Sequence, residues 1–402
     1  MNARCPGLVP LSPRVLALVR AVAAAGGRAL CVGGCVRDAI LGEPGKDVDL
    51  EVHELPADAL RGLLKRFGRV DEVGRSFGVF KLRLDGVELD VSLPRVDSKV
   101  GTGHRGIRAD ADPHLGLVEA ARRRDLTINA IAWDPLNAEL IDPFGGEVDI
   151  RERRLRAVDD AHFVEDPLRA LRVAQFAARF EAEPVPELEA LCRTMALGEL
   201  PAERVRLEVE KLLLRGKRPS LGWNFAHRAG LWARVLPAWD APCPPRLDAL
   251  AALPLHGEGR RFALLLAASA AGPALVDTLD RLRLFAWAGV DVRALTTRLD
   301  QARSTWAPGP STATDARRLA EQVDVELFAA LVDAAALHEA AEALGVLHAP
   351  LLPLIGGRDL VAIGVAPGPA LGQLLAEVRE AQLAGHLSSP EDALCWAQAR
   401  LR

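Results

Sequence analysis

Val32-Gly33-Gly34-Cys35-Val36-Arg37-Asp38, followed after a short connection by Asp47-Val48-Asp49-Leu50-Glu51-Val52-His53, decides how this chain is read. Arg28 to Val32 is a short β-type run stopped by the two glycines, and Val36 to Leu41 resumes helical character. Paired glycines between a strand and a helix let the backbone approach a ligand closely, and Arg37 and the helix start add positive field for an anion. Asp47 to His53 alternates acidic and apolar residues, so Asp47 and Asp49 project from one face of a strand. Two carboxylates so placed can hold two divalent cations roughly 3.5–4 Å apart for in-line phosphoryl transfer. An isolated Asp-Val-Asp is equally at home on the wet face of a surface strand. The glycine and arginine segment before it turns the reading toward phosphate chemistry.

Outward from this centre, Val15 to Ala25 is apolar-periodic and ends at Gly26-Gly27, as a helix with a glycine stop does. Pro56 to Phe67 is a further helix, and Phe77–Leu84 with Gly86–Leu93 is a strand pair turned at Asp85-Gly86. The second strand carries Asp90, a candidate third carboxylate, with Glu88 on the same face. After about Leu155, Ala, Leu, Arg and Glu dominate and strand signals vanish. Helices are expected over 166–180, 186–196, 202–214, 221–232, 259–270, 273–284 and 314–344, with proline-rich breaks at 237–245 and 350–353. The expected class is α+β: a small mixed-sheet head over 1–152, then an all-helical neck over 153–236 and a helical body and tail over 237–402.

Composition bounds what such a chain does. Half of the 402 residues are hydrophobic and 26% charged, which excludes wholesale disorder. Fifty Lys and Arg against 54 Asp and Glu leave a net charge of −4, so any nucleic-acid site must come from local charge. The six cysteines show no CxxC spacing, and Cys31 and Cys35 read as buried packing residues. No basic-then-apolar leader opens the chain and no apolar run is long enough for a bilayer, so a cytoplasmic protein without a membrane partner is expected. His256, His338 and His348 read as isolated, and no His-Asp dipeptide suggests a phosphohydrolase.

Further segments invite chemistry. Arg123-Arg124-Asp125-Leu126-Thr127-Ile128-Asn129 is a basic turn entering a short helix. In Glu165-Asp166-Pro167-Leu168-Arg169, Asp166 suits an N-cap and Pro167 the first helical position, while Asp166 and Arg169 share a helical face with Arg172 following. Glu203-Arg204-Val205-Arg206-Leu207-Glu208 allows an Arg204–Glu208 pair one turn apart, worth about 0.3–0.5 kcal/mol. Ser98 to Ala121, with Gly101, Gly103, His104, Arg105, Gly106 and Arg108, reads as a mobile loop. Lys211 to Trp239 holds six Lys and Arg and no acid, with Trp223, Phe225 and Trp232 interleaved. Such a run either tracks phosphates and stacks bases or is the wet side of helices whose aromatics are core.

Taken together, the glycine-arginine segment and Asp47-Val48-Asp49 resemble the signature of class II tRNA nucleotidyltransferases and bacterial poly(A) polymerases, members of the polymerase-β-like superfamily. The resemblance is dense from Arg28 to Lys211 and recurs weakly in Gly356-Gly357-Arg358-Asp359-Leu360 and the glycines and prolines up to Gly372. It implies that Asp47 and Asp49, with Asp90, hold Mg²⁺, and that Gly33, Gly34 and Arg37 contact the triphosphate. Arg124 and Asp125 would select the ribose, with Asn129 near metal or phosphate. Asp166 and Arg169 would read the Watson–Crick edge, supported by Glu165 and by Arg204 and Glu208. An Asp-Arg pair matches the donor and acceptor edges shared by C and A, and leaves groups unpaired against U or G. The implied activity is untemplated addition of CCA to the 3′ end of tRNA from CTP and ATP, releasing pyrophosphate. Addition of A alone, or poly(A) synthesis, shares the same motifs. The flexible loop, not shortened here, implies competence for the terminal A, and body and tail would hold tRNA.

Overall fold

The computed structural model describes residues 5–43, 45, 47–72, 78–84, 86–99, 107–307 and 312–401. The chain divides into two units, Met1–Pro242 and Cys243–Arg402, so the expected boundary after residue 152 falls inside the first.

In the first unit, α1 (Pro13–Ala24) starts where Ser12 Oγ accepts from the Val15 amide and stops before Gly26 at φ +89°, as its sequence signals predict. Its Val15, Leu18, Val19 and Val22 face is buried against a sheet. The sheet is built from β1 (Arg28–Val32), β2 (Asp49–His53), β3 (Arg69–Glu72), β4 (Val79–Leu84) and β5 (Val87–Ser92), with later strands at its far edge. The segments between carry α2 (Gly34–Ile40) and α3 (Ala57–Leu64). A hairpin of β6 (Arg95–Lys99) and β7 (Ile107–Ala111) leads to α4 (Leu117–Arg122), then β8 (Ala132–Asp134), β9 (Glu139–Ile141) and α5 (Gly146–Arg151). Among the described residues the sheet has seven strands in the order β3-β4-β5-β2-β1-β8-β9.

The pairing of β2 with β5 is parallel, with Asp49 opposite Asp90, and the sheet's other recorded pairings are antiparallel. The β4–β5 hairpin forms as expected, though Phe77 and Asp85 lie outside the described residues. The expected loop over 98–121 is instead a hairpin and a helix: Arg95 to Lys99 pairs with Ile107 to Ala111. Its glycines 101, 103 and 106, with His104 and Arg105, lie outside the described residues.

Beyond the sheet come β10 (Arg154–Leu155), α6 (Asp160–Phe163), α7 (Leu168–Phe180), β11 (Glu183–Pro184), α8 (Pro186–Thr194), α9 (Ala202–Arg215), α10 (Pro219–Arg228) and α11 (Leu231–Val235). Strand pairing does not end at Leu155: β10 and β11 pair in parallel, and 286–287 pairs with 290–291 further on. The helix expected over 221–232 is two, because Gly230 takes φ +62° between them. The basic run over 211–239 also resolves. Trp223, Phe225, Trp232 and Trp239 are buried, with the Trp223 and Trp239 rings stacked at 4.4 Å and Trp232 edge-on to Trp239 at 5.1 Å. The indole nitrogens of Trp223 and Trp232 donate to Ala241 O and Trp223 O. These aromatics are core and offer no face to a base. The charges between them are paired locally, Lys211 with Glu208, Lys217 with Glu43 and Arg228 with Glu189.

Among its described residues, the second unit is helical apart from the 286–291 hairpin. The long helix expected over 314–344 is three, Ala313–Ala320, Val325–Val332 and Ala335–Ala343. Asp324 caps the second, and Asp333 ends it in the left-handed region at φ +62°. His348 is not isolated: it lies 3.7 Å from Glu326 and 3.3 Å from Arg260, whose guanidinium also binds Asp324. The tail motif opens the helix Gly357–Ala362 and precedes Pro369–Leu383, whose Leu374 and Val378 pack in one apolar cluster with Leu360. Among the described residues, no helix is long and apolar enough to cross a membrane.

Candidate active site

A cavity of about 530 Å³ in the first unit gathers most of the residues singled out by sequence. From the sheet side it is lined by Gly33, Gly34 and Asp49, from the turn after α4 by Arg123, Arg124, Asp125 and Asn129, and from α7 and α9 by Asp166, Arg169, Arg172 and Arg204. Segments up to 178 residues apart in sequence, Gly33 and Lys211, thus face one space.

Local structure fixes each wall. Gly33 adopts φ +71°, a conformation that favours glycine, and a Cβ there would come within 2.8 Å of Arg124 Nη1 and displace that guanidinium. Parallel pairing brings Asp49 level with Asp90. Burial, then the charges of Asp90 and Asp47, push the Asp49 carboxyl above the usual carboxylate range, with Arg124 opposing. Asp90 Oδ1 is shielded from solvent and accepts no hydrogen bond, with Lys81 Nζ at 3.4 Å. Carboxylate oxygens on neighbouring strands are the donor type that a hard divalent cation takes, although those of Asp47, Asp49 and Asp90 do not converge on one point here. Glu88, the competing acid on the same strand, is instead bound by Lys81 at 2.5 Å and approached by Arg83 at 3.8 Å. Register with β2, which the hairpin alone does not set, separates the two acids.

A polar chain, mostly buried, runs along this wall and includes Arg37, which also lines the cavity. Arg37, only 4% exposed, donates to Asp38 Oδ1 and Asn129 Oδ1, and its guanidinium sits 4.5 Å from the Phe180 ring of α7 and 5.5 Å from that of Phe176. Asn129 Nδ2 in turn donates to Asp125 Oδ1 at 2.9 Å. The amide orientation is fixed, because a guanidinium only donates and a carboxylate only accepts. Both ends of Asn129 are therefore engaged within the protein, at the cavity wall. Asp125 also accepts from the Leu126 amide at 2.8 Å and from Arg172 at 2.7 Å. Burial opposes its charge, but Arg172, Asn129 and the Leu126 amide outweigh it and hold the carboxyl below its usual range. Arg179 reaches Asp38 at 3.1 Å and closes the chain onto α7.

The helix α7 begins at Leu168 with Pro167 at its N-cap, one residue later than the sequence predicts. Asp166 Oδ1 accepts from the Leu168 amide, a cap on the first turn. Its Oδ2 binds Arg204 Nη2 at 2.9 Å. The expected Arg204–Glu208 pair is thus absent: Arg204 reaches across to Asp166, and the buried Glu208 takes Lys211 at 2.9 Å. Arg169 donates to His162 O at 2.7 Å and Arg123 O at 2.8 Å, which holds its guanidinium at the cavity wall. Glu165 joins only through its backbone, its amide donating to His162 O. Asp47, exposed before β2, is near enough to act on the Asp49 carboxyl but does not line the cavity.

Sequence reasoning missed Glu51, Gln175, Phe176 and Arg179. Gln175, Phe176 and Arg179 line the cavity at helical spacing from Arg172 along α7, and that periodicity was the signal available.

Residues 29–156 match the family described as Poly A polymerase head domain. Proteins named Multifunctional CCA protein are similar: that of Xanthomonas campestris pv. campestris is 42% identical over 217 residues, 52% of this chain and 51% of that protein. Its namesake in Aromatoleum aromaticum is 42% identical over 228 residues, 54% of each. The matched region spans about half the length of these curated relatives. Among solved structures, the Bacillus stearothermophilus CCA-adding enzyme in complex with CTP matches with a TM-score of 0.73 at 24% identity, over 98% of both chains. The Thermotoga maritima CCA-adding enzyme complexed with tRNA matches with 0.67 at 21%, over 100% of both. Those structural likenesses show the fold. Residues 29–156 thus resemble the Poly A polymerase head domain in sequence, and the chain over its whole length shares the fold of CCA-adding enzymes.

Proposed function

We propose that this protein adds C, C and A to the 3′ end of tRNA without a template, using CTP and ATP and releasing pyrophosphate, in the cytoplasm. The observation that carries the reading is one cavity in which the metal-type carboxylate Asp49 faces the Asp166 and Arg169 pair. A reacting phosphate and a base edge can be held there by one polypeptide, which is what choosing a nucleotide without a template demands.

Asp47, Asp49 and Asp90 would hold Mg²⁺, which when bound neutralises charge on the triphosphate and lowers the pKa of the attacking 3′-hydroxyl. Gly33 and Gly34 leave room for phosphate against the backbone, and Arg124 supplies charge beside them. Arg37, nearly buried, serves this wall by fixing Asn129 and packing on Phe176 and Phe180. Asp125 checks the ribose: its oxygens are already donor-filled, so a 2′-hydroxyl enters by sharing the side that Arg172 occupies. Asp166, braced by Arg204, accepts from the exocyclic amine shared by C and A, and Arg169 donates to the neighbouring acceptor. The relatives' names and the CTP- and tRNA-bound neighbours support this assignment of substrates. The tRNA itself is assigned to the helical second unit and its tail.

Purified protein, Mg²⁺ and labelled CTP or ATP, offered to tRNAs ending before CCA, after C and after CC, test the proposal. Full CCA addition is expected. Incorporation of A alone, or untemplated poly(A) on any RNA, overturns it. Asp49→Asn is expected to lower kcat by about 10³-fold or more while CTP affinity stays within a few fold.

A further inference from the structure

Glu51 is an acid that the proposed chemistry leaves unused. It stands two residues after Asp49 on β2, so by alternation it continues the row of carboxylates formed by Asp47 and Asp49. Counted by sequence alone, it is a fourth candidate for metal. Its surroundings say otherwise. Only 4% exposed, it meets Arg123 Nη2 and Arg124 Nη2 with Oε2, both at 3.4 Å, while Oε1 faces His53 Nε2 at 3.3 Å.

These two arginines are the first residues of the basic turn that lines the cavity. Arg124 lies against Gly33, where a Cβ would touch its Nη1 at 2.8 Å, and also donates to Asn129 O. Arg123 offers its carbonyl to Arg169 Nη2 at 2.8 Å. The two guanidinium groups carry like charge, share one narrow wall and are mostly buried, at 15% and 19% side-chain exposure. A buried carboxylate between them removes their mutual repulsion and uses one donor edge of each, leaving the cavity wall positive.

We propose that Glu51 is the positioning residue of the nucleotide site, a buried anchor that aims Arg123 and Arg124 at the triphosphate and, through the Arg123 carbonyl, steadies Arg169, and that it is no metal ligand. This inference rests on the nucleotidyltransferase reading of the cavity. It predicts a separation of parameters that the metal-binding alternative reverses.

Glu51→Gln keeps the shape and removes the charge. Expected are a rise of about tenfold in KM for both CTP and ATP, kcat within about threefold of native, and an unchanged Mg²⁺ concentration for half-maximal rate. Glu51→Asp, which retains the charge, restores at least part of the affinity and serves if the Gln variant melts early. In an Arg123→Ala/Arg124→Ala background, Glu51→Gln adds less than a twofold further loss in kcat/KM, since its effect runs through those side chains. Nucleotide KM within twofold of native in a folded Glu51→Gln protein overturns the inference. So does a fall in kcat with a raised Mg²⁺ requirement, or an undiminished effect in the double-arginine background. If the native protein transfers no nucleotide at all, the reading of the cavity fails instead, and the two failures are distinct.

Discussion

At the scale of single residues, charge placement in this molecule separates acids that look alike in sequence. Asp49 and Glu51 lie on one strand, yet burial beside Asp90 and Asp47 raises the first carboxyl. Burial would raise the second as well, but the His53 hydrogen bond and the charges of Arg124 and Arg123 outweigh it and lower it to about 2, against an ordinary 4.5. A depressed carboxyl contributes stability above its unfolded pKa and loses it as pH falls through the folded one. Glu51 therefore supports the native state fully above about pH 4.5 and progressively less toward pH 2. Denaturant midpoints followed from pH 6 downward are expected to fall less steeply in Glu51→Gln than in the native protein; parallel curves refute the assignment. The paired aspartates were legible because the glycine-arginine segment 33–38 precedes them; their spacing alone also fits the wet face of a surface strand. Glu51 was not, because its partners stand 72 and 73 residues away and alternation reports a face without naming what covers it.

At the scale of elements, helix ends and strand pairs were easier to foresee than helix interruptions. Ser12, Pro13 and Gly26 bracket α1 because capping chemistry is local. The 314–344 stretch reads as one helix, since nothing in its apolar spacing reveals that Asp333 turns left-handed. The tryptophans were ambiguous for a related reason. A helix with a basic side and an aromatic side has the same sequence whether the rings face core or solvent, and only the packing of Trp223 on Trp239 decides. Trp223→Ala is expected to destabilise the first unit by about 3–5 kcal/mol, read as a shift in its unfolding transition, with little direct change in RNA affinity of the folded fraction. A mild loss of stability with a large loss of RNA binding would restore the stacking role. Arg204 joins α9 to the start of α7 through Asp166. Arg204→Ala should let Asp166 swing from its place and raise misincorporation of UTP or GTP about tenfold in single-nucleotide extension assays. Unaltered base choice counts against the brace.

For the molecule as a whole, a formal charge of −4 averages unlike regions. Within the first unit the cavity wall is crowded with arginines, while Lys211, Lys217 and Arg228 of the basic run over 211–239 pair with acids outside it. On the proposed function, indiscriminate attraction to phosphate is expected to be weak and a folded RNA to be recognised by shape. Measured by anisotropy, affinity for tRNA is expected to fall by only about a hundredfold between 50 and 200 mM salt, corresponding to about four phosphate contacts. Unstructured RNA of equal length should bind more weakly at every salt concentration; equal binding would sink the argument.

The pairing of β2 with β5 also has a consequence in time. Parallel strands cannot be joined by a tight turn, and here the chain must traverse α3, β3 and β4 before Asp90 comes level with Asp49. Contacts of this span pay a loop-closure entropy that hairpins and helices do not, and they form late. The carboxylate cluster also brings like charges together, so nothing in its own electrostatics hastens it. On dilution from denaturant, ellipticity should return ahead of catalytic competence, and the interval between the two clocks the moment at which the sheet closes around its centre.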